Sequence, residues 1–426
     1  MNPLLLCRSD VEFGADRAAY RLHRGLQEIG VASTMLVQNK LSSDRSVISP
    51  EGNIKKKLLN FRETFDAWPV KFYGQRQESM FWPGWFPDRI ESQVAQIEPD
   101  IINVHWICRG YMQVETLAKL NKPIVWTFHD MWGFTGGCNY TDNCDRYKSG
   151  CGNCPLLNSK RDQDLSRWIW QRKAKSWKNI NLAVVTPSQW LAEETRASAL
   201  FKDVLSNVRV EVIPNGIDTE KYQPFDRAIA RKILKLPEDK QLVLFGAVSA
   251  TSDRRKGFHL LQPALQSLSK SGWQDKIELV VFGSSRPSNE PELGFRCHYL
   301  GKFSDDIALA LVYAAADIFV APSLQDNLPN TVMEAISCGT PCAAFKIGGM
   351  PDLIDHQENG YLAEAYNIEE LARGIAWVLE NRDRHQKLCH QAREKVQTEF
   401  TREIQARRYL SLFTDMMGGD RSNLSK

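Results

Sequence analysis

The sequence predicts an α/β protein of two domains, each built around a parallel sheet that is covered by helices. Short apolar, β-branched segments alternate with longer amphipathic segments along the chain, which is typical of parallel sheets covered by helices. The length of 426 residues is too great for one ordinary domain and suits two. A Pro-Asn-Gly turn at 214–216 follows a predicted strand and marks the expected boundary between them.

The predicted strands are short and nearly all apolar, as expected for strands buried on both faces. After a first strand within residues 1–7, they comprise Asp100–His105, Pro123–His129, Leu182–Thr186, Val208–Ile213, Gln241–Ala247, Ile277–Phe282 and Asp317–Ala321. Helical periodicity predicts Phe258–Ser271, Ile307–Ala316, Asn330–Ser337, Ile368–Asn381 and a last helix, Arg402–Met417. The expected domains are residues 1–215 and 216–401, followed by the last helix at 402–417.

Composition argues against several classes of protein. The net charge is only +3, so charge offers no case for a nucleic-acid partner. The sequence holds no run of about 18 apolar residues, the length that a membrane-spanning helix needs. The first residues lack the basic start and long apolar stretch of a secretory signal, so we expect a cytoplasmic protein.

The segment from Pro322 to Ala335 carries the strongest functional signal. Asp326 lies in a loop after a predicted strand, and Glu334 lies inside the next predicted helix, with seven residues between the two acids. Pro329 suits the first position of that helix, because proline lacks the N–H group that would be unpaired there. The helix N-terminus offers N–H groups to a phosphate or a sugar, and a carboxylate can accept two hydrogen bonds from a ribose diol.

This segment and its neighbours resemble a known family in their order along the chain. The acid pair, together with Ala316–Asp317, Cys338–Pro341, Gly348–Asp352 and Asn359–Gly360, is similar to the corresponding segments of the family 4 glycosyltransferases. Those proteins are retaining enzymes of the GT-B fold, so the resemblance implies two Rossmann-like domains that face a cleft. The resemblance implies a nucleotide-sugar donor bound by the C-terminal domain and an acceptor bound by the N-terminal domain.

The resemblance also implies a role for each part of the acidic segment. Glu334 would bind the donor ribose, and Asp326 would contact hydroxyls of the donor sugar. Backbone amides of the residues between them would lie near the sugar and the diphosphate, and these residues are Asn327, Leu328, Asn330 and Thr331. The last helix would cross back to the N-terminal domain, and transfer would retain the anomeric configuration.

A basic loop follows the strand that ends near Ala247. Its residues Arg254, Arg255 and Lys256 suit a diphosphate, because lysine supplies a point charge and arginine donates paired hydrogen bonds. Lys256 resembles the family's phosphate-binding cation, and a solvated basic loop is the alternative. Because these cations are present and no Asp-x-Asp metal site lies near them in the sequence, we expect transfer without a catalytic metal or other cofactor.

Four residues of the N-terminal half are further candidates for sugar or phosphate contacts. By resemblance, His129 at the carboxyl end of a strand would contact the donor sugar near the reacting carbon, for instance by donating a hydrogen bond to a hydroxyl. Asp130 either orients His129 or binds acceptor hydroxyls, and His105 is another candidate for binding the acceptor. Gly14, in the first strand-to-helix turn, either brings backbone amides to a donor phosphate or serves the turn alone.

A cysteine-rich insert at 136–155 contains Cys138, Cys144, Cys151 and Cys154. Four thiols that end in Cys-x-x-Cys predict a structural Zn²⁺ site that closes a loop. Free thiols, disulfides and an iron–sulfur cluster are the alternatives. Because four thiolate ligands leave no open position on the metal, no catalytic role is expected for it.

Two stretches combine cations with aromatic residues, at 53–76 and at 160–178. The first holds six cations against two acids, and the second holds seven cations against two acids. This composition favours peripheral contact with an anionic membrane or with a lipid-diphosphate acceptor. Ordinary amphipathic helices with solvated faces are the alternative.

The residues and the resemblance together predict a retaining hexosyltransferase. It would move a sugar from a nucleotide-sugar donor to a glycan or lipid-linked acceptor, in cell-surface or exopolysaccharide synthesis. Its rivals are a sugar-nucleotide epimerase, a phosphorylase of related fold with pyridoxal phosphate, and a non-catalytic carbohydrate-binding or scaffold protein. Acceptor-dependent nucleotide release, absorbance of the cofactor and binding without turnover distinguish these possibilities.

Overall fold

The computed structural model of this chain describes residues 1–49, 61–74, 76, 79–246, 253–287, 291–303 and 305–418. The chain forms two compact units. The first comprises Met1–Gly216 together with the chain from Glu403 onward, and the second comprises Ile217–Arg402. Each unit contains a parallel sheet with helices, so the predicted pair of Rossmann-like domains is confirmed.

In the described part of the first unit, seven parallel strands follow the order β3-β2-β1-β4-β5-β6-β7. The strand order reverses at β1, which pairs with β2 on one side and β4 on the other. Such a switch point is where open α/β sheets bind their ligands, beyond the carboxyl ends of the strands. The strands are β1 (Pro3–Ser9), β2 (Thr34–Asn39), β3 (Val47–Ile48), β4 (Ile101–Val104), β5 (Ile124–Thr127), β6 (Leu182–Thr186) and β7 (Arg209–Val212).

The second unit repeats this plan, with six strands in its described residues. Their order is β10-β9-β8-β11-β12-β13, and the reversal falls between β8 and β11. The functional candidates of this unit therefore lie near a switch point as well. The strands are β8 (Gln241–Gly246), β9 (Ile277–Phe282), β10 (Cys297–Gly301), β11 (Ile318–Ala321), β12 (Cys342–Phe345) and β13 (Gly360–Ala363).

Both sheets are buried on their two faces. Leu4 and Leu6 of β1 enter one apolar cluster, whereas Leu5 enters another on the opposite face, as expected from the two-residue repeat of a strand. The helices that cover the sheets are α1 (Gly14–Glu28), α2 (Ile90–Ile97), α3 (Leu165–Trp177), α4 (Gln189–Ala197), α5 (Arg227–Leu234), α6 (Phe258–Leu268), α7 (Asp306–Ala315), α8 (Asn330–Ser337), α9 (Met350–Leu353), α10 (Ile368–Leu379), α11 (Arg382–Glu399) and α12 (Arg402–Met416).

The last helix, α12, packs into the core of the first unit. Its residues Tyr409 and Phe413 are fully buried in the cluster that also contains Leu5 of β1. The Tyr409 hydroxyl lies 2.8 Å from Thr127 Oγ1 at the end of β5. A polar contact therefore reaches from this helix to the carboxyl end of the first sheet.

The predicted strands and helices are present, with bounds that differ by a few residues, but several elements were missed. Among the elements with no counterpart in the prediction are strands β2, β3, β12 and β13 and helices α2, α4, α5, α9 and α11. Helix α11 was missed because its buried stripe is narrow, with only His385, Leu388, Ala392 and Val396 buried along its length. In the part of the chain that the structure describes, no helix is both long and apolar enough to span a bilayer.

Candidate functional site

The loop between β11 and α8 places both acids of the predicted donor site beyond the carboxyl end of the second sheet. Asp326 in the loop is 7% exposed, and Glu334 in α8 is 3% exposed. Pro329 caps α8 at the position before its first residue, Asn330, one position earlier than predicted. The physical reason for a proline holds there too, because an N–H group in that position would have no partner within the helix.

Two cations hold Asp326 in its charged form. Lys256 Nζ lies 2.7 Å from Asp326 Oδ2, and an Arg255 nitrogen lies 3.7 Å from the same oxygen. The Ser323 hydroxyl donates a further hydrogen bond at 3.3 Å. Burial by itself raises the pKa of this carboxyl, but Lys256 and Arg255 outweigh it, so the pKa of Asp326 lies below its ordinary value of 3.8.

Hydrogen bonds to backbone carbonyls join the basic loop at 254–256 to the loop that contains Asp326. The Leu324 N–H donates to the Arg255 carbonyl at 2.8 Å, and the Arg255 guanidinium donates to the Gln325 carbonyl at 3.1 Å. Gly257 has a φ of +73°, and a Cβ there would lie 1.7 Å from the Pro322 carbonyl oxygen. Only glycine fits this position, so the cations and Asp326 are held together by backbone contacts as well as by charge.

A second glycine turn supports the Asp326 backbone from another side. The Gly349 N–H donates to the Asp326 carbonyl at 3.1 Å. Gly348 has a φ of +50°, and a Cβ there would lie 2.0 Å from the same carbonyl oxygen. This explains in physical terms why residue 348 is glycine, which the sequence showed only as part of a family resemblance.

Glu334 is anchored from α7. The Tyr313 hydroxyl donates to Glu334 Oε2 at 3.0 Å, and Tyr313 is fully buried. The sequence analysis did not single out Tyr313, because its place in an apolar helix made it one core residue among others. The hydrogen bond orients a carboxylate that is almost inaccessible from the solvent.

The other predicted donor residues divide into two pairs. Asn327 and Leu328 are buried, and the Leu328 side chain packs in the apolar core of the unit. Asn330 and Thr331, in the first turn of α8, are partly exposed. A ligand can therefore meet the first turn of α8, whereas Leu328 offers only its backbone. Arg254 of the basic loop has an exposed side chain.

The predicted residues His105 and His129 meet in the first unit. His105 Nδ1 lies 2.9 Å from His129 Nε2, and His105 Nε2 lies 2.9 Å from Asn103 Oδ1. Both residues line a pocket with about 220 Å³ of empty space beyond the carboxyl ends of β4 and β5. His105 is 3% exposed, and both of its ring nitrogens lie within hydrogen-bond distance of other side chains of the unit. It is therefore not placed to bind an acceptor, contrary to the expectation from the sequence. His129 is partly exposed.

Asp130 lines the same pocket, but its carboxylate already accepts hydrogen bonds from other residues of the unit. Its carboxylate accepts hydrogen bonds from Trp106 Nε1 at 2.9 Å, Asn139 Nδ2 at 2.6 Å and the Trp132 N–H at 2.9 Å. Burial raises the pKa of Asp130 above its ordinary value despite these bonds. An acceptor would have to compete with three donors, which weakens the case for Asp130 as an acceptor ligand.

Gly14 is the first residue of α1, and an acid already lies in the first turn of this helix. The Phe13 N–H donates to the Asp16 carboxylate at 3.0 Å, and the Cys7 thiol lies 3.2 Å from its other oxygen. Burial raises the pKa of Asp16 to about 6. An acid in this position competes with a phosphate for the helix N-terminus, so the arrangement favours the structural alternative for Gly14.

Comparison with known proteins identifies the family. The Glycosyltransferase Family 4 model matches residues 14–221, and the Glycosyl transferases group 1 model matches residues 226–395. A D-inositol 3-phosphate glycosyltransferase of Xylanimonas cellulosilytica is 30% identical over 72% of this chain and 69% of its own length. The chain belongs to the family 4 glycosyltransferases.

Two further proteins are similar to this chain, one in sequence and one in fold. The Escherichia coli K12 protein assigned to colanic acid biosynthesis as glycosyl transferase WcaC is 27% identical over 57% of this chain. That match spans 58% of WcaC, so this chain is aligned with little more than half of that relative. Sucrose-phosphate synthase from Thermosynechococcus elongatus has a TM-score of 0.69 at 19% identity, covering 98% of this chain and 99% of its own, which supports the fold.

The four cysteines of the insert at 136–155 line one pocket, with about 310 Å³ of empty space. The Gly136 N–H donates to Cys151 Sγ at 3.1 Å. All four thiols are free of disulfides. Within the described residues, however, no group of three or more His, Cys, Asp or Glu side chains is arranged to hold a metal ion, so the predicted tetrahedral site is not confirmed.

The first basic and aromatic stretch is described only in part, because Lys55, Lys56 and Lys57 lie outside the described residues. From residue 61 onward it presents an aromatic surface to the solvent, in which Phe72 is 73% exposed. The centres of the Trp68 and Phe72 rings lie 5.3 Å apart in an edge-to-face arrangement, and Lys71 beside them is exposed. We refer to the exposed residues Phe61, Phe65, Trp68 and Phe72 as the aromatic surface.

The second such stretch is divided between core and solvent, as the alternative of an ordinary amphipathic helix expects: four of its seven cations and Trp168 are exposed. Lys173 and Trp177 of α3 are buried, and Arg172 forms an ion pair with Glu115. The Lys173 ammonium donates to the carbonyls of Trp132 and Thr135 and lies 3.6 Å from the centre of the Trp132 ring. Burial lowers the pKa of Lys173 to about 7. The sequence pattern could not separate a buried cation from a solvated one.

Proposed function

We propose that this glycosyltransferase transfers a hexose-type sugar from a nucleotide-sugar donor to a glycan or lipid-linked acceptor, with retention of configuration. The observation that carries the proposal is the cluster formed by Lys256, Arg255 and Asp326, which lies one loop away from Glu334 at the carboxyl end of a parallel sheet. It brings phosphate-binding and sugar-binding groups together in one unit. The similarity to WcaC, which is named for colanic acid biosynthesis, supports a role in polysaccharide synthesis. We further propose that this synthesis serves the cell surface and takes place at the cytoplasmic face of the membrane.

The proposed chemistry divides the donor among these groups. Glu334 accepts hydrogen bonds from the ribose diol, and Asp326 accepts them from hydroxyls of the sugar. Lys256, Arg254 and Arg255 stabilise the negative charge that develops on the departing nucleoside diphosphate, which is the role that a metal ion has in other transferases. His129 contacts the sugar near the carbon that is transferred.

A thermal-shift panel of UDP-, GDP- and ADP-sugars tests the donor proposal. A donor at about 100 times its dissociation constant stabilises the folded state by about 2.7 kcal/mol, which corresponds to a shift of roughly 5–10 °C for a domain of this size. A shift with one nucleotide and retained configuration at the product's anomeric carbon, seen by NMR, are the expected results. No shift with any donor would contradict the proposal and favour a scaffold protein.

We further propose that the aromatic surface docks on an anionic membrane. Exposed aromatic rings beside cations are suited to the interface of a bilayer that contains acidic lipids. The paired replacement Trp68→Ser and Phe72→Ser is expected to weaken binding to phosphatidylglycerol vesicles at low salt by about tenfold or more. The paired control Ile229→Ser and Ile233→Ser removes two exposed apolar side chains elsewhere, and an equal loss in the control would contradict the proposal.

The last proposal is a structural Zn²⁺ ion held by Cys138, Cys144, Cys151 and Cys154. The shared pocket supports it, as do the amide donor to Cys151 and the backbone hydrogen bonds of Leu156 and Leu157 to the Cys154 thiol, because such bonds stabilise thiolates. Burial raises the pKa of Cys154 to about 11, so binding the metal would release protons. The thiols would have to close around the ion.

Metal analysis of the purified protein tests the zinc proposal. We expect one Zn²⁺ per chain in the wild type and loss of most of it in Cys154→Ser, with a lower melting temperature after treatment with a chelator. Cys297→Ser, which changes a partly buried thiol in the other unit, is expected to keep the metal. Substoichiometric metal in every preparation would contradict the site.

A further inference from the structure

A continuous chain of hydrogen bonds runs from the interior of the first unit to His129. The Asn103 side-chain amide donates to the Val125 carbonyl at 2.9 Å and to Thr127 Oγ1 at 3.1 Å. Its oxygen lies 2.9 Å from His105 Nε2, and His105 Nδ1 lies 2.9 Å from His129 Nε2. Asn103 and His105 are both buried, on β4 and directly after it.

The direction of each bond follows from the first one. A carbonyl oxygen only accepts, so the Asn103 group that faces Val125 must be its NH₂ group, and the group that faces His105 must be its oxygen. That oxygen also only accepts. His105 must therefore carry a proton on Nε2.

The protonation of His105 then decides that of His129. Burial lowers the pKa of His105 well below its ordinary value, with the neighbouring His129 as a smaller cause, so the ring is neutral and carries one proton only. Its Nδ1 is thus a hydrogen-bond acceptor, and the proton between the two rings belongs to His129 Nε2. Burial lowers the pKa of His129 to about 4, so this ring is neutral too and its Nδ1 is an acceptor.

We infer that Asn103 and His105 are positioning residues that hold His129 as the neutral Nε2–H tautomer. Any sugar hydroxyl that meets His129 Nδ1 must then donate the hydrogen bond. This replaces two expectations from the sequence, namely that His105 binds the acceptor and that His129 donates to a hydroxyl. The link to sugar binding rests on the proposed function, but the tautomer does not.

The chain of hydrogen bonds continues beyond the Asn103 side chain to the last helix, α12. The Thr127 hydroxyl, which accepts from the Asn103 amide, lies 2.8 Å from the Tyr409 hydroxyl of α12. Tyr409 and Thr127 are buried, so this end of the chain is shielded from water. The helix that returns to the first unit thereby helps to fix the amide orientation from which the tautomer follows.

NMR of the full-length protein with ¹⁵N-labelled histidine rings tests the inference directly. A protonated ring nitrogen and an unprotonated one have well-separated chemical shifts, and the variants His105→Asn and His129→Asn assign the signals. We expect both residues to carry the proton on Nε2 at neutral pH. A proton on Nδ1 of His129, a charged His105, or averaged shifts that indicate exchange between tautomers would overturn the inference.

The substitution Asn103→Asp is expected to reverse the direction of the hydrogen bond between His105 and His129. In Asn103→Asp an ionised carboxylate, which ¹³C NMR of residue 103 detects, stabilises a charged His105; this ring then donates from Nδ1 to His129 Nε2, and the His129 proton moves to Nδ1. Asn381→Asp, which exchanges one helix N-cap residue for another in the second unit, is expected to leave the histidine spectrum unchanged. A neutral carboxyl group at residue 103 of this variant, which donates to the Val125 carbonyl as the amide does, should leave the His129 tautomer unchanged; an unchanged tautomer beside an ionised carboxylate at that position would also overturn the inference.

Activity supplies a second readout that separates this inference from the proposed function. If His129 meets the donor sugar, Asn103→Asp is expected to lower kcat by about 10²-fold with little change in the KM for the donor. Absence of transfer by the wild type with every donor would contradict the proposed function and leave the NMR result standing. An equal fall in kcat for Asn381→Asp would contradict the positioning role.

Discussion

Replacing Glu334 with alanine is expected to lower kcat/KM for the donor by about 10²-fold or more. Each hydrogen bond to a charged group contributes about 1.5–3 kcal/mol, and in the proposed function a ribose diol donates two to this carboxylate. Loss of both therefore corresponds to at least about 3 kcal/mol of donor binding, which is two orders of magnitude in rate or affinity. Steady-state kinetics with the donor found in the panel measure this effect.

The Glu334 result needs controls, because the same carboxylate also receives the Tyr313 hydroxyl. Truncation leaves that buried hydroxyl without this partner, at a cost of about 1–3 kcal/mol in the free energy of unfolding. Glu334→Gln keeps an acceptor for Tyr313 and removes only the charge, so its stability should be nearer to that of the wild type while donor binding is still weakened. Glu369→Ala, an exposed acid in the first turn of α10, should change neither property. Full donor affinity in Glu334→Ala would refute the ribose role.

Replacing Lys256 with methionine is expected to abolish measurable transfer and to destabilise the second unit by about 3 kcal/mol. Breaking a buried ion pair by removing one partner leaves an uncompensated charge, at a cost of about 3–5 kcal/mol. Because Arg255 remains 3.7 Å from Asp326, the lower end of that range applies. Chemical denaturation measures the change, and Lys387→Met on an exposed face of α11 is the matched control.

The pH dependence of this effect identifies its origin. In the wild type the pKa of Asp326 is below 3.8, so its ion pairs stabilise the fold above that pH, and this contribution is lost as the pH falls through the lowered pKa. The stability gap between Lys256→Met and the wild type should therefore be large at neutral pH and should narrow as the solution becomes acidic. The double variant Lys256→Met with Asp326→Asn, which removes both charges, should recover most of the loss. A gap that stays constant with pH would show that lost packing, not charge, is responsible.

Local patterns in the sequence were sufficient to predict the fold class and the donor segment. A buried parallel strand is recognisable by its own residues, as at 182–186 and 277–282, where the predicted and observed bounds coincide. Asp326 and Glu334 were recognisable because they lie close together in the chain, in a loop and a helix that both follow from their own residues. Helix α11 escaped prediction because burial of one face depends on what lies against it, and its four buried residues do not form a wide apolar stripe.

The sequence by itself determined that this chain has two parallel α/β units and carries the acids and cations of a family 4 glycosyltransferase. Only the tertiary structure decided which of these groups meet. Lys256 pairs with Asp326 across 70 positions of sequence, and His105 turns inward to His129 because β4 and β5 are neighbours in the first sheet. The tertiary structure also decided that the Lys173 side chain is buried in the first unit while the Phe72 side chain is exposed to solvent. Such contacts depend on strand order and on the packing of distant segments, and composition and periodicity along the chain carry no information about either.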